Sequence, residues 1–191
     1  MVLPVYIYGQ PVLRKVAQGI DKDYEGLEEL IQNMKDTMYA SDGIGIAAPQ
    51  VGVSARLIYI DVDVLKDDFP ELKGKHMMLI NPQLTVDEAS EEVTREEGCL
   101  SVPGISENVT RHTKVHLHWF DENWEEHDED ITGYLARVIQ HEYDHLEGRL
   151  FIDHISGIRK QLIKGKLNNM LKGKTSVRYR AKFYKPSGRK S

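Results

Sequence analysis

Residues 140–151 read QHEYDHLEGRLF, two histidines four apart with a glutamate directly after the first. On a helix, positions i and i+4 lie one above the other, so His141 and His145 can reach a single ion. Glu142 is turned about 100° from His141 by helix geometry. It does not share their coordination position but can lean over an open one, which suits a general base acting on metal-bound water. Thr132 can cap the start of this helix and Gly148 can end it, which predicts a helix from Gly133 to about Glu147. A bare H-E-x-x-H also occurs by chance, with the second histidine merely finishing a helix, so the third ligand decides.

The common downstream completions are closed. A histidine six residues after the second would fall at Phe151, and no acidic residue follows Asp153 to act as a distant glutamate ligand. Asp153 and His154 lie nearby, but beyond the helix stop and the apolar RLFI segment, which makes them weak options. Upstream, Cys99 in EEGCLSVPG is the best candidate. Flanked by Gly98 and set in a turn, its thiolate can approach a metal closely, and a cysteine with two histidines plus water is a catalytic set. The competing reading of this lone cysteine is a small buried hydrophobe.

Outward from these residues the chain reads as one α+β domain. Leu27, Leu30, Ile31, Met34 and Met38 follow a helical period across Asp23–Asp42, and Gly43 supplies a stop. GIGIAAPQVGV is too glycine-rich for a routine strand and too apolar for a solvent loop. RLIYIDV (56–62), HMMLINP (76–82) and KVHLHWF (114–120) read as strands, with VLKDDFPELKGK as a charged surface loop; the last strand runs through DENW and the acidic EEHDED into a turn. Ile155, Ile158, Leu162, Ile163 and Leu167 suggest a second amphipathic helix. A catalytic domain over residues 1–170 and a loose basic tail over 171–191 are expected.

Net charge is −5, unevenly spread: positions 154–191 hold twelve Lys or Arg and no Asp or Glu. Such asymmetry reads as a polyanion-binding appendage, or as a solvated helix and a loose end. No run of 18 apolar residues is present and the N-terminus lacks the pattern of a signal or transit peptide, so no membrane contact and a cytoplasmic setting are expected.

GIGIAAPQ (43–50), EGCLS (97–101) and QHEYDH (140–145), in this order, resemble the three motifs of the peptide deformylase family, and GQPVLRKVA near the start is similar to its N-terminal segment. The resemblance covers roughly residues 3–170 and makes Cys99 the third ligand. It implies an α+β fold with antiparallel β-sheets around a central metal-binding α-helix. It also implies removal of the N-formyl group from the initiator methionine of nascent polypeptides, with formate released. The implied cofactor is one divalent metal ion, Fe²⁺ by family preference, with Zn²⁺, Ni²⁺ or Co²⁺ compatible with the same ligands.

By the same resemblance, the Gln50 side-chain amide and the Leu100 backbone N–H donate to the formyl oxygen, and Glu142 carries the proton from water to the leaving amine. Gly43, Ile44 and Gly45 are the expected contacts of an extended peptide, the glycines allowing its backbone to approach. Alternation suggests that Ile44 and Ile46 share one side. Tyr134 and Val138, at i−7 and i−3 from His141, can line a slot for the methionine side chain or pack as ordinary core; Arg137 is expected at the pocket mouth. Glu97 is expected to pair with Arg111 and brace the cysteine loop.

Two departures stand out. An arginine that some relatives carry a few residues past the cysteine motif is replaced here at Ser106 or Glu107, so its role is not transferred, and an insertion at 63–75 has no assigned purpose. A metallopeptidase of unformylated peptides, or a metal-stabilised RNA-associated protein, are the alternative readings. The ribosome, through the basic C-terminal segment, is the expected macromolecular partner beside formyl-methionyl peptides.

Overall fold

The computed structural model describes residues 1–185. A short strand β1 (Val5–Tyr6) precedes helix α1 (Leu27–Ala40). There follow β2 (Gly45–Ala47), β3 (Leu57–Asp61), β4 (His76–Val86), β5 (Glu92–Gly98), β6 (Ser106–His112), β7 (Lys114–Phe120) and β8 (Glu126–Thr132). Helix α2 (Gly133–Leu146), helix α3 (Gly157–Leu171) and strand β9 (Ala181–Lys182) complete the chain. Five strands form one antiparallel sheet in the order β2-β3-β4-β7-β8; β5 and β6 make a separate antiparallel pair, and β1 and β9 a parallel one. The α+β expectation holds.

The large sheet is covered on both faces at β3, which explains why LIYID is apolar throughout its first four residues. Successive strand side chains point to opposite faces. Ile58, Ile60 and Leu79 join Leu135, Ala136, Val138 and Ile139 of α2 in one core cluster. Leu57, Tyr59, Met78 and Ile80 join Ile31, Met34 and Met38 of α1 in another. The α2 helix is thus held by its apolar face against a rigid sheet, and its other positions are free to carry chemistry. Gly148 ends it with φ +69, and a Cβ there would come within 2.8 Å of the Arg14 backbone. The same glycine therefore stops the helix and lets the N-terminal segment pass. Thr132 stands at the cap position, although its side chain makes no capping bond.

Four elements depart from the pattern read in the sequence. EEHDED is mostly strand, not turn: β8 pairs along all of β7. The insertion at 63–75 is not purely a surface loop, since Leu72 is buried and Leu65 and Phe69 pack on the main core. Helix α3 exists but is not amphipathic; it buries Ile163 and Met170, while Ile158 and Leu162 stand 77% and 67% exposed. Residues 171–185, expected to be loose, fold back, with Val5 N–H donating to Arg180 O at 2.8 Å and Ile7 N–H to Lys182 O at 3.0 Å. The remainder of the basic tail lies outside the described residues. Among the described residues, no helix is long and apolar enough to cross a membrane.

Candidate metal centre and substrate cleft

Helix α2 sets the His141 and His145 rings 5.4 Å apart, centroid to centroid. Strand β5 ends at Gly98 and so delivers Cys99 at its tip, with Sγ 3.3 Å from His145 Nε2. One ligand atom from each of Cys99, His141 and His145 lies within 4.8 Å of the others. Glu97 accepts from His141 Nδ1–H at 2.9 Å. Because an ionised carboxylate can only accept, Nδ1 carries the proton and His141 Nε2 keeps a lone pair for an ion.

Glu97 is the hub of a buried charge network. It accepts two bonds from Arg111, at 2.7 and 3.0 Å, and one from Arg137 at 2.7 Å. Arg137 also donates to Val109 O at 3.0 Å and to Val93 O, tying α2 to both strands of the cysteine hairpin. It is buried in this network and also lines the cavity beside the metal centre. Arg111 continues to Asp144 at 3.0 Å, and Asp144 to His154 at 2.8 Å. Burial alone raises the Glu97 carboxyl, but His141 and Arg111 outweigh it and hold the group far below the ordinary range. Carboxylate partners of this kind fix a ligating histidine's tautomer and ring angle.

The donor set fits a metal ion. Desolvation pushes the Cys99 thiol up, yet His145 and His141 bring it down to about 5, so the soft thiolate form is the stable one. Among the described residues no fourth ligating side chain joins the three, which leaves the open position that a catalytic site keeps and a structural site fills. His145 Nδ1 and Glu142 Oε2 are buried with no partner among the described residues. Burial raises the Glu142 carboxyl above its ordinary value. Asp153 and His154, the weak downstream options, are engaged elsewhere, by Arg14 and Asp144.

A cavity of about 450 Å³ opens beside these groups. Its lining includes Gly43, Ile44, Gly45, Gln50, Cys99 and Leu100, together with Tyr134, Val138, His141 and Glu142. Gln50 Oε1 accepts from Ala47 N–H at 2.8 Å, which turns the amide nitrogen toward Cys99 Sγ at 3.5 Å and Ser101 Oγ at 3.3 Å. Ile44 reaches the cavity, whereas Ile46 is fully buried in the α1 cluster, so the two do not share a role. The glycines have a reason beyond substrate approach: a Cβ on Gly45 would lie 2.5 Å from Glu142 Oε1. Ser106 lines the cavity, and buried Glu107 takes a bidentate pair from Arg159 of α3 at 2.7 and 2.9 Å.

Two features of the cleft carry no signal in the local sequence. Phe69 of the insertion stacks on Tyr134 with centroids 4.4 Å apart, and the Arg95 guanidinium lies over both rings. Tyr179, from the segment after α3, also lines the cavity, and its hydroxyl donates to Leu100 O at 2.6 Å. Only a partner far along the chain explains either residue.

An α+β fold whose central helix presents two histidines and a buried glutamate, with a thiolate beside them and one position open, defines a metal-dependent hydrolase. The family model described as Polypeptide deformylase matches residues 2–161. A relative named Peptide deformylase from Christiangramia forsetii is 49% identical over the full length of both chains. Solved structures agree: peptide deformylase from Thermus thermophilus superposes with TM-score 0.79 at 32% identity, covering 91% of this chain and 100% of that one. The Legionella pneumophila enzyme gives 0.77 at 34% identity, covering 92% and 100%. The chain belongs to the polypeptide deformylase family.

Proposed function

We propose that this chain hydrolyses the formyl amide of N-formylmethionyl nascent polypeptides, with Cys99, His141 and His145 holding a divalent ion and Glu142 as acid–base. The observation that carries the assignment is the open-sided group of three ligands with a buried, half-unpartnered glutamate beside it. When bound, the ion supplies the Lewis acidity that makes water nucleophilic at neutral pH. Fe²⁺ is the proposed occupant.

The protein groups do the rest. Glu142, desolvated and raised, takes a proton from the attacking water and returns it to the leaving amine. Gln50 Nε2 and the Leu100 N–H stabilise the charge that develops on the formyl oxygen; losing one such donor typically costs about 2.7–4 kcal/mol. β2 is the edge strand of its sheet, so an extended peptide can add along Gly43–Gly45. Tyr134 and Val138 line the slot for the methionine side chain. The basic segment beginning with α3 is proposed to dock on ribosomal RNA, placing the enzyme in the cytoplasm where formylated chains emerge.

The test is formate release from a short formyl-methionyl peptide, using protein purified without oxygen and supplied with Fe²⁺, beside Glu142→Ala. Release should all but vanish in the variant while metal content is unchanged. Equal release by both proteins would remove Glu142 from the mechanism. Cleavage of an internal bond in an unformylated peptide would favour the peptidase reading. Iron further predicts faster inactivation in air, and equal lifetimes with and without oxygen would count against it.

A further inference from the structure

The cysteine loop is held in place by segments from both ends of the chain. Val102 N–H donates to Cys99 O at 2.9 Å, which fixes the peptide plane that carries the Leu100 N–H. The next plane is pinned at its oxygen by Tyr179 Oη–H at 2.6 Å. Beyond it, Tyr8 N–H donates to Ser101 O at 2.8 Å and Gln50 Nε2 to Ser101 Oγ at 3.3 Å. Tyr179 comes from residues past the span the family model matches, yet it is firmly placed. β9 pairs with β1, Gln10 Nε2 donates to Phe183 O at 2.8 Å, and Arg180 Nη1 to Val2 O at 3.0 Å. Gly9 has φ +100, and a Cβ there would press on Leu171 and Tyr184, so even the turn after β1 is shaped to the returning chain.

We propose that the C-terminal segment is a working part of the active site and that Tyr179 is a positioning residue for deformylation, acting through the Leu100 peptide. A donor to a developing oxyanion must be aimed before the reaction, since its advantage comes from not having to reorganise. Two peptide planes meet at Leu100: Val102 holds the one that carries the N–H, and the tyrosine hydroxyl holds the next at its carbonyl, so neither can turn and drag the other out of aim. The ring itself closes part of the cleft wall beside Leu100. The proposal rests on the assignment of the Leu100 N–H to the formyl oxygen.

Tyr179→Phe in the full-length, metal-loaded enzyme removes the hydroxyl and keeps the ring. It should lower kcat about tenfold and leave KM for a formyl-methionyl tripeptide, metal content and Tm nearly unchanged. A peptide hydroxamate, whose carbonyl oxygen stands in for the formyl oxygen, should bind about tenfold more weakly, whereas the deformylated product peptide should bind as before. Tyr179→Ala should add a rise in KM to the same loss of kcat. Wild-type kcat and hydroxamate affinity in Tyr179→Phe would overturn the proposal. So would a parallel fall in Tm, metal content and product binding, which marks a merely structural contact. Formate release by the wild-type enzyme, and its loss in Gln50→Ala, test the deformylase reading and its oxyanion site separately from Tyr179.

Discussion

A methyl group on Gly45 would meet not only Oε1 of Glu142 but also its Cγ and Cδ, each at 2.9 Å. The Gly45 backbone is not left-handed, so alanine there is conformationally acceptable and the collision alone decides the outcome. The nearest atoms belong to the group proposed to carry the proton, and a displacement of about 1 Å at such a group can cost about 100-fold. Gly45→Ala is therefore expected to fold and to bind metal with unchanged stoichiometry, while kcat falls about 100-fold. Wild-type kcat would mean that Glu142 has room to move without consequence. At this scale the helical ligands were legible, because the four-residue spacing of His141 and His145 translates directly into a shared face. Cys99 needed the motif order as well, since a lone cysteine is usually core. The Gly45–Glu142 contact was hidden, because periodicity describes a residue's own element and not what leans over it from a distant part of the chain.

Strands were legible where a sheet is covered on both faces and hidden where it is not. β3 and β4 announce themselves by apolar runs. β5 and β8, reading EVTREEG and EHDEDIT, bury one residue each, because their remaining side chains lie toward solvent or bear charge. Cross-strand charge pairing takes the place of apolar contact there. On β7 and β8, Lys114 sits 2.8 Å from Asp130, and His116 lies 2.8 Å from Asp130 and 2.5 Å from Asp128. The hydrogen bond to Asp130 raises His116 above its ordinary 6.5, burial opposes it, and Asp128 adds to the rise. Lys114 and then His116 lower Asp130 below 3.8. A raised histidine stabilises the fold fully below its unfolded value and loses that contribution as pH climbs through the folded one. A lowered aspartate contributes fully above its unfolded value and loses it as pH falls through the folded one. Both contributions are complete between 3.8 and 6.5. The His116 ring proton resonances should accordingly titrate with a midpoint above 6.5, moving down in Asp130→Asn and in high salt. A wild-type midpoint at or below 6.5 would show that the ion pairs are not formed in solution.

Across the whole molecule, charge is divided along the sequence: thirteen basic and all thirty acidic residues precede position 154, and twelve basic residues follow. This asymmetry was legible, but its structural meaning was not. A periodic apolar pattern in 155–167 reads as a helix buried along one face, yet the fold leaves Ile158 and Leu162 uncovered on a helix that also exposes Lys160 and Lys164. Likewise a basic, Gly- and Ser-punctuated segment reads as loose, yet its middle part closes the cleft through Tyr179. The second point decides how docking on the ribosome must be tested. Deleting residues 171–191 would remove charge and active-site wall together, and a loss of function could not be assigned. Reversing charge on exposed side chains separates them: Lys164→Glu with Lys172→Glu leaves β9 and Tyr179 in place. For every phosphate no longer neutralised, the slope of log binding against log salt should fall by about 0.7–0.9. The double variant is therefore expected to co-sediment less with ribosomes at low salt and to show a shallower salt dependence, with formate release from a free formyl tripeptide unchanged. Co-sedimentation equal to wild type across the salt series would detach the basic segment from the ribosome, whereas a fall in formate release would show that charge on α3 reaches the cleft through Arg159 and Glu107.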